Sequence, residues 1–459
     1  MVRVELPGFV RAVIRRLKEA GYQGYLVGGC VRDALLGRAP ADYDVATDAQ
    51  PDEVMALFPG SLPVGAAFGT VLVAMPGPAG GEVHVTTFRV DLDYRDGRRP
   101  SAVQFSRSII DDLARRDFTI NAIAWDPEDD EIVDPFGGRE DVRARLVRAV
   151  GDPVERLRED ALRALRAVRF ATQLGFDIDL ETWRAIEAEA PGVRRLSAER
   201  VRAELLAVLG SPDCGRGLWM MVELGLFFLI LPELKGAERM PQAKRDAPTL
   251  LDHLIQTAAN APADPVLRFA ALLHDVGKLH TRAVGPDGRV HFHGHEKVGG
   301  QVAGQVCRRL RFSKAETERI VSLVEMHMAL GPGLTKKSVR RWVARYGAAW
   351  VRDLLALVQA DRIASGWPGD APELAAVRRL LLEVLEEERA LKLSDLAVNG
   401  HDVMAELKIP PGPAVGRVLG RLYEWVLEDP QVNERERLLE RIRKDGAAWA
   451  HGDGQSGSG

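Results

Sequence analysis

Apolar and polar positions change their period twice along the chain. Residues 8–20 repeat apolar side chains at helical spacing, which predicts a first helix. The pattern then shortens to Gly24-Tyr25-Leu26-Val27, a strand, followed by Gly28-Gly29 and a second helix over 30–36 that Gly37 stops. Further strands are predicted over 42–46, 64–75 and 83–90, the last two parted by a Gly/Pro turn over 75–81. From about Val154 helical spacing dominates almost to the end, with breaks over 233–248 and 366–372. These elements predict an α+β chain. A mixed-sheet head over 1–150 leads to a helical neck and body over 151–240, a helical domain over 248–370 and a helical C-terminal region over 371–450. The Gly/Ser-rich tail over 451–459 is predicted to be disordered. No internal repeat of solenoid length is present.

Composition narrows the class. Hydrophobic residues make up 46% of the 459 and charged residues 28%, the balance of a globular chain with more than one core. No apolar run is long enough to cross a bilayer, and residues 1–20 lack the apolar core of a signal peptide. The three cysteines, Cys30, Cys214 and Cys307, show no paired spacing, so a reducing cytoplasm and no membrane partner are expected. The net charge of −4 excludes a polycation. Local charge differs, because residues 139–169 hold nine Arg, no Lys and six acids. That stretch is either a phosphate-facing surface or a helix face laced with salt bridges.

Two groups of residues carry candidate chemistry. In Gly28-Gly29-Cys30-Val31-Arg32-Asp33, two glycines between a strand and a helix let the backbone approach a phosphate, and Arg32 adds a charged contact. A dozen residues on, Asp42-Tyr43-Asp44 places two carboxylates on one face of a strand. Side by side they repel unless a cation lies between them, and oxygen ligands of this kind suit Mg²⁺ or Mn²⁺. The second group lies further along, where seven of the ten histidines fall between His253 and His327. His253, His274-Asp275, His295, His327 and Asp361 form a nitrogen and carboxylate set suited to an unidentified divalent metal. His280, His291 and His293 flank a Gly-Pro-Asp-Gly turn and read as surface residues.

The first group resembles the head signature of the class II tRNA nucleotidyltransferase and poly(A) polymerase family. Further motifs follow in that family's order: Arg115-Arg-Asp-Phe-Thr-Ile-Asn-Ala122, Asp134-Pro-Phe-Gly-Gly138, Glu159-Asp-Ala-Leu-Arg163 running on to Arg166, Arg169 and Phe170, and Leu196-Ser-Ala-Glu-Arg-Val-Arg202. The resemblance covers about residues 10–230. It implies a polymerase β-like nucleotidyltransferase head, with Asp42 and Asp44 as catalytic metal ligands and Gly29 and Arg32 on the triphosphate. It further implies that Arg116 contacts the nucleotide, that Asp160 and Arg163 read the base in place of a template, and that Arg166 and Arg169 support that site. On a continuous helix Asp160 and Arg163 are neighbours, whereas Arg169 falls on the opposite side. Where the family has Glu in Glu-Val-Thr-Thr-Phe, this chain has His84, with Glu82 two residues earlier on the same face. Neither is assigned a catalytic role.

The second group is similar to the HD phosphohydrolase superfamily, which implies His253, His274, Asp275 and Asp361 as metal ligands and His295 and His327 as ligands of a second ion. The resemblance as a whole implies an enzyme acting on tRNA with CTP and ATP, adding CCA or its terminal A by two-metal nucleotidyl transfer. Val64-Gly-Ala-Ala-Phe-Gly-Thr70 lacks the basic segment of the poly(A) branch, and the Arg/Asp/Pro-rich stretch over 91–113 supplies the flexible loop that CC-only members lack. The competing expectations are A-only addition, poly(A) synthesis, or a silent RNA-binding homologue. The oligomeric state is not set by the sequence.

Overall fold

The computed structural model describes residues 6–65, 68–75, 80–92, 102–242, 247–330, 334–390 and 393–451. The chain divides into two compact units. One comprises Met1–Lys235 with Ala263–Pro265 and Val306–Ser313, and the other comprises Gly236–Pro262, Val266–Gln305 and Lys314–Gly459.

The first unit opens with α1 (Gly8–Glu19), β1 (Tyr25–Val27), α2 (Gly29–Leu35), β2 (Asp44–Thr47), α3 (Pro51–Leu57), β3 (Leu62–Gly65), β4 (Thr70–Met75) and β5 (Gly81–Thr87). β6 (Arg89–Leu92), β7 (Ala102–Phe105), α4 (Ile109–Ala114), β8 (Ala124–Asp126), β9 (Glu131–Val133) and α5 (Gly138–Ala144) follow. Seven strands form one sheet in the order β3-β4-β5-β2-β1-β8-β9, while β6 and β7 pair separately. The sheet is mixed, with β2 parallel to β5 and β1 antiparallel to both β2 and β8. Its buried face is a valine layer: Val45, Val71, Val73, Val83 and Val85 are at most 1% exposed. Each fully buried Val contributes roughly 1.5–3 kcal/mol, so this face ties the sheet to its helices.

Two strand expectations need correction. β2 begins at Asp44, and Asp42 lies in a bend before it. The 64–75 run is two antiparallel strands, β3 and β4, rather than one. Leu62, Val64 and Phe68 are exposed, so continuous apolar character concealed a chain reversal. The short strands β8 and β9 had no alternating pattern to reveal them. Of the expected loop over 91–113, residues 93–101 lie outside the described residues; 91–92 end β6, 102–105 form β7, 106–108 are a short connection and 109–113 lie in α4.

Helices complete the first unit: α6 (Pro153–Glu159), α7 (Leu162–Leu174), α8 (Leu180–Glu189), α9 (Ala198–Leu209), α10 (Cys214–Glu223) and α11 (Phe227–Ile230). The rest of the chain is helical from α12 (Leu250–Asn260) through α13 (Pro265–Leu273), α14 (Lys278–Thr281), α15 (His295–Arg309), α16 (Lys314–Met326) and α17 (Lys336–Tyr346) to α18 (Ala348–Ala364) and α19 (Pro372–Ala390), all in the second unit except Pro265 and the end of α15 from Val306. It ends in α20 (Gly400–Leu407), α21 (Pro413–Glu428) and α22 (Arg435–His451), packed around Val403, Val418, Leu422, Leu438 and Ile442. Residues 452–459, most of the predicted disordered tail, lie outside the described residues. Among the described residues no helix is long and apolar enough to cross a membrane.

Candidate active site and metal cluster

The antiparallel pairing of β1 with β2 brings the glycine turn after β1 and the aspartates at the start of β2 to the same end of these two central strands. Gly28 sits at φ +77, a left-handed conformation that favours glycine, and a Cβ there would stand 2.8 Å from Arg116 Nη1. Arg116 is held by Asp112 at 3.1 Å and donates to the Asn121 carbonyl at 3.4 Å. Its Nε is buried with no acceptor, a donor left for a ligand beside the glycines. Asp44 has its pKa raised, first by burial and then by the Asp42 carboxylate, while Arg116 and His84 oppose the shift. A carboxylate pair in this state attracts a cation, so these residues fit a divalent ion.

Arg32 is buried and donates Nη1 to Asn121 Oδ1 at 2.8 Å. Asn121 in turn donates to Asp117 Oδ1 at 3.1 Å, and Asp117 Oδ2 accepts from Arg166 Nε at 2.7 Å. Burial alone raises the Asp117 pKa, but Arg166 and Asn121 overcome it and hold the group below its ordinary value. Phe170 gathers three guanidinium groups around its ring: Arg169 at 4.3 Å, Arg166 at 5.2 Å and Arg32 at 5.3 Å from the centroid. Arg169 also pairs with Glu204 at 2.7 Å. It therefore joins Arg32 and Arg166 although it lies opposite Asp160 on an ideal helix.

The expectation that Asp160 and Arg163 share a continuous helix is corrected. Asp160 ends α6 in an extended conformation, φ −147 and ψ 104, and α7 starts at Leu162. Asp160 accepts from Arg200 at 2.5 Å. Arg163 is buried and donates to the carbonyls of Arg156 and Arg115 at 2.7 and 3.1 Å, and it pairs with Glu159. The helix break gives the two side chains different partners, although the Arg163 N–H still donates to the Asp160 carbonyl at 3.0 Å. The Arg-rich stretch over 139–169 is largely laced with ion pairs: Arg143, Arg148, Arg156, Arg158, Arg163, Arg166 and Arg169 each meet a carboxylate. Sequence reasoning assigned no role to Asp117, Asn121, Phe170, Arg200 or Glu204. All five lie in or next to the quoted motifs, which was the available signal.

In the second unit a capping box between Thr249 and Asp252 starts α12 and places His253 in its first turns. His274 and Asp275 occupy the turn after α13, His295 opens α15, His327 follows α16 and Asp361 lies in α18. Gly277 makes this assembly possible, since a Cβ there would stand 2.0 Å from the His295 carbonyl oxygen. His274, His295 and His327 each place Nδ1 against the carbonyl three residues earlier, at 2.8, 2.8 and 2.7 Å. A donated Nδ1–H leaves the Nε2 lone pair facing the cluster. Asp275 divides its oxygens. Oδ2 lies 3.6 and 3.4 Å from the Nε2 atoms of His253 and His274, and Oδ1 lies 3.2 and 3.5 Å from those of His295 and His327. Asp361 Oδ1 is 3.0 Å from His253 Nε2. Ligand atoms of His253, His274 and Asp361, and those of His274, Asp275 and His327, lie within 4.8 Å of one another, so both sets fit a metal ion. His280 and His293 are exposed and His291 is half-buried.

Burial lowers the His274 pKa, but Asp275 and Asp361 overcome it and raise the group to about 9. A raised folded-state pKa gives stability that is fully present below the unfolded value near 6.5 and is lost as pH rises through about 9. Metal-stripped protein should therefore lose Tm across that window. Metal-loaded protein should not, because the ion replaces the proton. Thermal melts from pH 6 to 10 with and without chelator check this, and parallel profiles would refute it.

Residues 24–148 match the poly(A) polymerase head domain, residues 175–237 a probable RNA- and SrmB-binding site of polymerase A, and residues 296–442 a putative tRNA nucleotidyltransferase domain 2. The chain is 51% identical over 452 residues to a CCA-adding enzyme of Geobacillus thermodenitrificans, covering 95% of this chain and 98% of the relative. It is 39% identical over 422 residues to an A-adding tRNA nucleotidyltransferase of Deinococcus radiodurans, covering 87% and 90%. Among solved structures, the Bacillus stearothermophilus CCA-adding enzyme in complex with CTP superposes with a TM-score of 0.66 at 32% identity, over 97% of this chain and all of that one.

Proposed function

The chain belongs to the family of CCA-adding tRNA nucleotidyltransferases, and on that premise we propose how its two sites act. The protein is an enzyme that transfers nucleotides from CTP and ATP to the 3′ end of tRNA without a template, adding CCA or its terminal A. Its architecture is a polymerase β-like head on a mixed sheet, followed by a mostly helical body. The observation that supports the site assignment is the antiparallel β1–β2 pairing, in which β1 ends just before Gly28-Gly29 and β2 begins at Asp44, whose carboxylate feels both Asp42 and Arg116.

Asp42 and Asp44 hold the divalent ions, Mg²⁺ or Mn²⁺. When bound, these lower the pKa of the tRNA 3′-hydroxyl and offset charge on the departing pyrophosphate. Gly29, Arg32 and Arg116 orient the triphosphate so that the hydroxyl approaches the α-phosphorus in line. Asp160 and Arg163 present acceptors and donors to the Watson–Crick edge of the base. To do so they must exchange their contacts with Arg200 and Glu159 for the base. Arg166 and Arg169 tie α7 to Asp117 and to Glu204 of α9. Phe170→Leu keeps an apolar side chain, of somewhat smaller volume, and removes three cation–π contacts. It is expected to raise KM for CTP and ATP about fivefold to tenfold, a loss of ~1–1.4 kcal/mol. Steady-state kinetics check this, and an unchanged KM would remove Phe170 from the nucleotide site.

The domain plan is a head over 1–150, a neck and body over 151–240, an HD domain over 248–370 and a helical C-terminal region over 371–450, working in the cytoplasm. In the HD domain His253, His274, Asp275 and Asp361 hold one divalent ion, and His295 and His327 serve a second through the other oxygen of Asp275. That arrangement suits phosphoester hydrolysis.

The test offers labelled CTP and ATP to tRNA transcripts ending at the discriminator base, at C and at CC. Incorporation on all three marks CCA addition. Incorporation of ATP on the CC transcript alone marks the A-only specificity that the Deinococcus relative's name carries. No incorporation with Mg²⁺ or Mn²⁺ defeats the assignment.

A further inference from the structure

β5 runs parallel to β2, and the first rung of that pairing sets His84 directly opposite Asp44. His84 Nδ1 lies 3.7 Å from Asp44 Oδ1, and both side chains are about half exposed, at 47% and 46%. That separation is too long for a hydrogen bond. It is within reach of a shared ion, since two ligands each about 2.1 Å from one cation stand at most about 4.2 Å apart. The backbone of His84 is fixed independently, its N–H donating to the Tyr43 carbonyl at 3.3 Å. Glu82 shares this face of β5, but the pairing with β2 has not begun at its position, and its recorded neighbour across the sheet is Ala74 in β4. The strand register therefore presents an imidazole, rather than a third carboxylate, next to Asp44.

We propose that His84 is a protein ligand of the divalent centre at Asp42 and Asp44, and that its nitrogen moves that centre's preference from Mg²⁺ towards Mn²⁺. This rests on the two-carboxylate reading given above. The physical reason has two parts. Mg²⁺ takes oxygen donors and parts with water reluctantly, whereas imidazole favours first-row transition ions. A neutral imidazole also leaves the protein ligands with two negative charges where a carboxylate would give three, which weakens the hold on a hard ion most.

The test is Mn²⁺ electron paramagnetic resonance on the full chain with CTP and no RNA acceptor, comparing wild type with His84→Glu. The histidine cluster of the second unit is the same in both proteins and cancels in the difference. The expected result is a ¹⁴N modulation present in wild type and lost in His84→Glu. The Mn²⁺ affinity relative to Mg²⁺ should fall about tenfold in the variant, and the Mn²⁺/Mg²⁺ ratio of incorporation rates should fall with it. His84→Gln should lose the nitrogen signal without gaining Mg²⁺ affinity. Identical nitrogen modulation and an unchanged affinity ratio in His84→Glu would overturn the proposal. Asp44→Ala separates the two levels. If it removes head-bound Mn²⁺ while the His84 variants change nothing, the His84 assignment alone fails. If head-bound Mn²⁺ persists without Asp44, the two-carboxylate reading fails and takes this proposal with it.

Discussion

Replacing Asp44 with Asn is expected to lower kcat for CTP and ATP incorporation by ~10³-fold or more while leaving Tm in place. A divalent ion supplies several kcal/mol of charge stabilisation, and each 1.36 kcal/mol is worth about tenfold in rate. The isosteric amide keeps the shape of β2 but removes the charge that attracts the cation. The described residues give the Asp44 carboxylate no hydrogen-bond donor, and its nearest recorded neighbour is His84 at 3.7 Å. The fold therefore does not depend on that charge. Relief of the Asp42–Asp44 repulsion, which helps to raise the Asp44 pKa, offsets any small loss of packing. Single-turnover incorporation into a transcript ending in CC measures the effect. A rate within tenfold of wild type would remove Asp44 from the reacting centre.

The second large effect belongs to the histidine cluster. His274→Ala combined with Asp275→Ala should release the bound metal and abolish metal-dependent hydrolysis of phosphoesters, again by ~10³-fold or more, because Asp275 faces both imidazole pairs. Asp42→Ala should leave that hydrolysis intact. Both replaced side chains are buried, so Asp361→Asn, at a half-buried position, provides the same test with less disturbance to the core. Metal content by atomic absorption and hydrolysis of a chromogenic phosphodiester are the readouts. Hydrolysis unchanged by the double substitution would reject a hydrolytic centre there.

What could be read from the sequence was local. The strand, the two glycines and the helix after them occupy a dozen residues, and each step has its own signal in φ preference or apolar period. His274-Asp275 announces itself in the same way, as a charged pair closing an apolar helix. Contacts made across the chain carried no such signal. His84 meets Asp44 only because β5 inserts beside β2 in parallel, a pairing between segments about forty residues apart. Asp117, in the segment after α4, reaches Arg166 of α7, and Arg200 of α9 reaches Asp160 in the break before α7. Helical spacing misled at Asp160 because the residue lies in a break that no Gly or Pro marks.

The six side chains of the histidine cluster are drawn from a stretch running from residue 253 to residue 361. An ion gripped by its two ends is a removable staple across α12 and α18. At a free concentration about a hundred times its Kd it adds ~2.7 kcal/mol to the folded state. Withdrawing the ions of both sets would loosen five separate stretches of chain at once. Chelation should therefore expose the 250–364 region to protease as one block, and the ion supply of the cell would set how long this half of the molecule endures.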